Sequence, residues 1–316
     1  MYKQKTIKKV IQLNGKGLHS GKDVELTLSP SPVDYGIVFK RTDLSSSPSI
    51  RAHASNVVDT SMATTLGKEG VSIGTVEHLL SALMGLQVDN VHIDVKGPEI
   101  PVFDGSAAAF IEAIIQTGLK EQKSQKKFLI ITKPVAVRNK DRFCYLFPST
   151  EFKVTCRIEF AHTCIGKQNF DFRIPFLSYK GGSHFYCQEI AQARTFGFLD
   201  DVSYLQSRGL ALGASLENAV VLDKDSIVNR EGLRWQNEFV RHKVLDSIGD
   251  LALVGAQVIG HLITYRSGHS LHHQLVEKTL KSKDAWKMMT YDQIVHSENG
   301  LSSSLLCDQE LLASVA

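Results

Sequence analysis

Short strand-like runs of apolar residues set between polar ones mark the first third of the chain, at Val24 to Leu28, Gly36 to Lys40 and Asn90 to Val95. Two stretches switch to a helical period, Thr75 to Leu83 and Ser106 to Thr117. Thr75 and Ser106 stand where N-caps belong, and Gly85 and Gly118 where glycines close helices. The polar octet Lys120 to Lys127 then interrupts the pattern. Beyond it strand-like runs resume near 128–138, 143–147 and 152–159, followed by helical patterns around 184–192 and 231–255. Runs of strands followed by helices, rather than strict alternation, predict an α+β fold. The expected layout is a first α+β domain over 1–121, a linker over 122–127, a second α+β domain over 128–300 and a C-terminal tail over 301–316.

Composition narrows the function classes. The chain has 316 residues, enough for two cores, and 36 basic against 33 acidic residues give a net charge of only +3. That balance argues against a nucleic-acid partner while leaving room for a local basic patch. The five cysteines, at 144, 156, 164, 187 and 307, are odd in number and lack CxxC spacing, which predicts reduced thiols in a cytoplasmic protein. The basic N-terminus lacks the apolar run of a signal peptide and reads as the approach to a strand. The longest apolar stretch, Leu251 to Gly260, is too short to span a bilayer, so a soluble chain with no transmembrane segment is expected.

The most informative segment is Arg241 to Asp250. On a helix, His242, Asp246 and Asp250 fall four apart on one face, opposite an apolar stripe of Val244, Leu245, Ile248, Leu251 and Ala252. Neutral imidazole and carboxylate one turn apart can chelate a metal, although a surface or capping pair is the commoner use of that spacing. Glu77 and His78 stand together at the start of an apolar helix, an odd position for a charged pair. A catalytic zinc site needs three protein ligands and a nearby carboxylate that can act as a base. His78, His242 and Asp246, with Glu77, supply that set. Tyr265 to His269 breaks from a strand-like run at Gly268 and delivers His269 from a loop; His272 and His273 are rivals, better read as a solvated helix start. Thr195 offers a hydroxyl between aromatic neighbours in Ala193 to Phe198.

These strings together resemble the UDP-3-O-acyl-N-acetylglucosamine deacetylase family, zinc enzymes that commit a nucleotide sugar to lipid A synthesis in Gram-negative bacteria. The resemblance runs in order through Gly15 to Gly21, Thr75 to Leu79, Phe103 to Ala107, Ala193 to Phe198, Leu205 to Gly209, Glu238 to Asp246 and Ser267 to His269. It implies two similar α+β domains with the active site between them and a small insert in the second, about 198–222, forming an apolar passage for the acyl chain. By the same resemblance His78, His242 and Asp246 are ligands of Zn²⁺, or of Fe²⁺, Glu77 is the general base and His269 protonates the leaving amine. Asp250 would orient His269, Thr195 and Lys243 would polarise or anchor the acetamide, and Phe196 would lie along the sugar. Val202, Ala211 and Ala214, with Leu18 from the first domain, are expected to line the passage, and Arg266 with Lys243 to meet the pyrophosphate. The substrate implied is a UDP-linked acylated N-acetylglucosamine. The sequence itself does not give the oligomeric state, and a monomer is the expectation. Two departures stand out: His272 and His273 occupy positions where amides are expected, and the segment after Tyr291 matches no family motif.

Two other classes fit parts of the pattern. Two histidines and a carboxylate also make the iron triad of oxygenases, but Glu77 beside the ligands suits hydrolysis and has no task in an oxygenase. A non-catalytic acyl-sugar binding protein would not need Glu77, His269 and three ligands together.

Overall fold

The computed structural model describes residues 2–174 and 182–296; the tail over 301–316 lies outside them. The architecture is α+β, and the sheets sort by halves of the chain. A five-stranded sheet of the first half runs in the order Ile11–Lys16, Asp23–Pro30, Val91–Lys96, Ile37–Arg41, Ile50–Arg51. Along Asp23–Pro30, Val24, Leu26 and Leu28 turn into the core while Asp23 and Glu25 face solvent, the period-two pattern of a half-buried strand. A smaller antiparallel sheet joins Val57–Asp59, Thr65–Lys68 and Val71–Ile73. Helices α1 (Glu77–Gly85) and α2 (Ala108–Thr117) pack behind these strands.

In the second half the long strand Gln257–Tyr265 is central. It pairs in parallel with Lys127–Ile131 and then with Phe152–Glu159, and antiparallel with Arg142–Phe147. Val135–Asn139, Lys167–Ile174 and Trp286–Thr290 extend the sheet. The helices of this half are α3 (Gly182–Glu189), α4 (Leu199–Ser207), α5 (Glu238–Leu251), α6 (His269–Lys281) and α7 (Tyr291–His296). Around α4, Phe196–Phe198 pairs in parallel with Val220–Leu222, so the expected insert is a small strand–helix–strand unit.

The sequence pattern predicts α5 as a helix with one packed and one polar face. Instead both faces are buried, leaving only Arg241 and Lys243 partly exposed, because α5 lies between α1 of the first half and the sheet and α6 of the second. Gly249 makes this approach feasible: a Cβ there would stand 2.1 Å from the Glu77 carbonyl oxygen. The α5 helix is also shorter than the 231–255 pattern, ending in a 3₁₀ turn at Ala252–Val254.

Three further expectations change. Residues 122–127 are not a free linker: Leu119–Gln125 is a strand paired with Lys3–Ile7, and the Lys126 ammonium is buried 2.6 Å from Asp89 Oδ1. A polar sequence there reflects an edge ribbon rather than a tether. Thr75 does not cap α1. Its hydroxyl donates to Glu99 Oε1 (2.7 Å), its φ is +55°, and the helix begins two residues later. A β-branched residue in that region carries strain, here balanced by the buried hydrogen bond. Ser106 lies one residue before the cap position of α2, its hydroxyl accepting from the Ala108 amide and donating to Asp104.

Candidate metal centre

Helix α1 presents His78 and α5 presents His242 and Asp246 to the same buried point. Asp246 Oδ1 lies 3.3 Å from His242 Nε2 and 3.7 Å from His78 Nε2, and the two imidazoles meet edge to face with centroids 5.0 Å apart. Ligands about 2.0–2.1 Å from a tetrahedral zinc are separated from one another by roughly 3.3–3.4 Å. The His242–Asp246 edge matches that value and the His78–Asp246 edge is a few tenths of an ångström longer; both exceed the usual N–H···O length.

The ring orientations fit a metal as well. His242 Nδ1–H donates to the Ala193 carbonyl (3.0 Å), leaving the Nε2 lone pair facing the centre. His78 Nδ1 is buried without a hydrogen-bond partner among the described residues. Burial, assisted by the facing His242, holds His78 neutral down to about pH 3, and burial likewise lowers His242. Burial would raise Asp246, but His242 and Lys243 outweigh it and keep the carboxyl far below the ordinary range. Two neutral imidazoles and one carboxylate are the donor set that a divalent zinc or iron ion takes.

Glu77 precedes His78 on α1, and its Oε1 is 3.7 Å from His269 Nε2. His269 opens α6, and its Nδ1 lies 2.8 Å from Asp250 Oδ2. Burial is the largest influence on both members of the facing pair. It raises Glu77 to about 8, with Asp250 and Asp246 adding to the effect against His269. It would lower His269, but the Asp250 and Glu77 carboxylates overturn it and hold the imidazolium up to about 10. Asp250 in turn is kept ionised by His269 and His272 against the cost of burial.

His272 corrects the expectation of a solvated helix start. It is buried, with Nδ1 2.8 Å from the same Asp250 Oδ2 and Nε2 2.8 Å from Ser267 Oγ. One turn into α6, that face looks at α5 rather than at water. His273 is half-buried. Asp250, His269 and His272 also have three donor atoms close together, but both contacts to Asp250 are 2.8 Å, the length of charge-assisted hydrogen bonds rather than of ligand edges. This second cluster holds protons.

Of the other expected residues, Lys243 pairs with Asp246 Oδ2 (2.8 Å) and lies 5.5 Å from the Phe196 ring centroid, while Phe196 stands 6.4 Å from the His242 ring. Burial works against the Lys243 charge, but Asp246 raises its pKa. Thr195 is fixed by its backbone, its N–H donating to Gly105 O and its carbonyl accepting from Val220. Leu18 comes to the insert through hydrogen bonds from Gly213 N to Leu18 O and from Leu212 N to His19 O. Val202 is half-buried on α4, Ala211 is buried at φ +53°, and Ala214 is exposed. Arg266 is engaged away from the cluster, with Nη1 2.6 Å from Asp141 Oδ2. Two residues escaped the sequence reading. Thr64 contacts both Glu77 and Asp250, and Glu99 accepts from the His19 and Ser20 amides and from Thr75. Neither lies in a motif whose spacing points to it, since their partners are distant in sequence.

A buried His₂Asp centre, flanked by a carboxylate and by a histidine that a second carboxylate holds protonated, has the layout of a metal-dependent hydrolase. The particular family follows from the sequence as a whole. The family model for UDP-3-O-acyl N-acetylglycosamine deacetylase matches residues 4–281, and the chain belongs to that family. It is 48% identical over 288 residues to the UDP-3-O-acyl-N-acetylglucosamine deacetylase of Myxococcus xanthus, covering 91% of this chain and 90% of that one. The protein of the same name from Syntrophus aciditrophicus is 45% identical over 301 residues, covering 95% and 93%. That of Syntrophotalea carbinolica is 42% identical over 316 residues, covering 100% and 99%. This last similarity extends past Tyr291, where the family motifs offered no counterpart.

Proposed function

We propose that this chain hydrolyses the N-acetyl group of UDP-3-O-acyl-N-acetylglucosamine, giving acetate and the free 2-amino sugar nucleotide, the committed step of lipid A biosynthesis. His78, His242 and Asp246 would hold Zn²⁺, with Fe²⁺ as the alternative ion. The observation that carries the reading is the 3.7 Å approach of Glu77 Oε1 to His269 Nε2 beside the His₂Asp centre, a base and an acid facing one reaction volume. Among the described residues no helix is long and apolar enough to cross a membrane. Our reading takes the reaction to be cytoplasmic and the chain to act as a monomer.

An amide resists hydrolysis because its carbonyl is a weak electrophile and its amine a poor leaving group. A bound dication supplies Lewis acidity for the first difficulty. Glu77 accepts a proton from the attacking water as oxygen bonds to the acetyl carbon. Thr195 Oγ1 and Lys243 Nζ are the polar groups assigned to the developing oxyanion, and Phe196 offers its ring face to the sugar. His269 then donates its Nε2 proton to the amide nitrogen as the C–N bond breaks, while Asp250 holds Nδ1 and stabilises the imidazolium until transfer. Leu18, Val202, Ala211 and Ala214 are assigned to the acyl chain. Arg266 can serve the pyrophosphate only after exchanging Asp141 for it.

The test is mass spectrometry of the products from the acylated nucleotide sugar, together with metal analysis of the purified protein. Acetate release without oxygen uptake supports deacetylation. Oxygen incorporation would point to an oxygenase, and unaltered substrate bound tightly to a binding protein.

A further inference from the structure

Glu77 and His269 belong to different halves of the chain, yet their chemistry needs a fixed spacing. Thr64 stands where that spacing is set. It is buried just before the strand Thr65–Lys68, and its carbonyl accepts from the Val76 amide at the entrance to α1. Its backbone N–H donates to Glu77 Oε2 (3.0 Å), and its Oγ1–H donates to Asp250 Oδ1 (2.5 Å) across the junction with α5. Asp250 Oδ2 meanwhile accepts from His269 and His272. The hydroxyl therefore occupies the oxygen that His269 does not use. With both oxygens engaged, the carboxylate cannot turn without breaking a buried bond to a charged group.

We propose that Thr64 is a positioning residue that registers the general base against the general acid, its amide holding Glu77 and its hydroxyl holding the carboxylate that aims His269. This rests on the deacetylase reading above. Because the link to Glu77 is through the backbone, side-chain substitutions isolate the Asp250 arm. Thr64→Val removes the hydroxyl while keeping the shape, and Thr64→Ser keeps the hydroxyl.

Kinetics of the metal-loaded full chain on the acylated nucleotide sugar test the proposal. Thr64→Val should lower kcat by roughly 10-fold, the scale of one hydrogen bond to a charged group, with KM within about 2-fold and metal content unchanged. Thr64→Ser should recover most of the loss. In an Asp250→Ala background Thr64→Val should cost nothing further, because its effect passes through Asp250. An unchanged kcat in Thr64→Val, an equal loss in Thr64→Ser, or a full multiplicative loss in the Asp250→Ala background would each overturn the proposal while wild-type activity leaves the deacetylase reading standing. A wild-type chain that releases no acetate would overturn both.

Discussion

Replacing Asp250 by asparagine removes a charge and leaves the shape, and the effect should appear in the pH profile. His269 Nδ1 is 2.8 Å from Asp250 Oδ2, while Glu77 Oε1 is farther from the ring, at 3.7 Å. Two unit charges about 4 Å apart at an effective dielectric near 20 attract by about 4 kcal/mol, which corresponds to roughly 3 pKa units at 1.36 kcal/mol each. Measured shifts from an adjacent opposite charge run about 1–3 units. His269 stands at about 10 in the intact cluster, so Asp250→Asn should bring it to roughly pH 7–9, with Glu77 retaining the remainder of the rise. The basic limb of kcat/KM should move down accordingly. Its plateau should fall roughly 10- to 100-fold, because a misaimed general acid loses part of its usual contribution. The linkage has a definite sign: His269 is raised from 6.5 to about 10, so its contribution to stability is complete below pH 6.5 and lost as pH rises through about 10. The variant should therefore lose stability most at neutral and acidic pH. The assays are initial rates from pH 5 to 10.5 and thermal melts over the same range. A basic limb that stays in place, with an unchanged plateau, would refute the assignment of His269 as the acid held by Asp250.

Other perturbations separate the remaining roles. His242→Ala should lose metal and activity together, whereas Glu77→Ala should keep its metal and lose about 10²- to 10⁴-fold in kcat; normal metal content in the first, or none in the second, would reverse the assignment. Gly249→Ala should lower stability by about 1–3 kcal/mol, read as a reduced melting temperature, because its methyl would stand 2.1 Å from the Glu77 carbonyl; an unchanged melt would mean that α1 and α5 can separate freely. Ala214→Phe should penalise the acylated substrate more than one lacking the chain, since each buried methylene is worth about 0.8 kcal/mol; equal losses would place the acyl group elsewhere.

The parts legible in the sequence are those written locally. The four-residue spacing of His242, Asp246 and Asp250 shows which side chains share a face, and Glu77 and His78 are neighbours, so the cluster could be assembled from two short strings. What could not be read depends on what each element packs against. The same spacing that predicted a polar face on α5 could not say that α1 covers it, and His272 looked solvated because its partner Asp250 lies on another helix. Thr64 is 186 residues from Asp250, and nothing around it in sequence signals the bond. The octet Lys120–Lys127 misled for a related reason: an edge strand paired on one side can be as polar as a tether.

The origin of the three proposed ligands has a thermodynamic consequence. His78 comes from α1, and His242 and Asp246 from α5, so an ion held by all three binds only when the two halves are docked. Such an ion acts as a molecular rivet, adding RT ln(1 + [M]/Kd) to the free energy of the assembled state and little to either half apart. Resistance to heat and to proteolysis should then rise with the logarithm of free metal concentration. Metal supply would thereby set how long the chain persists as well as how fast it turns over.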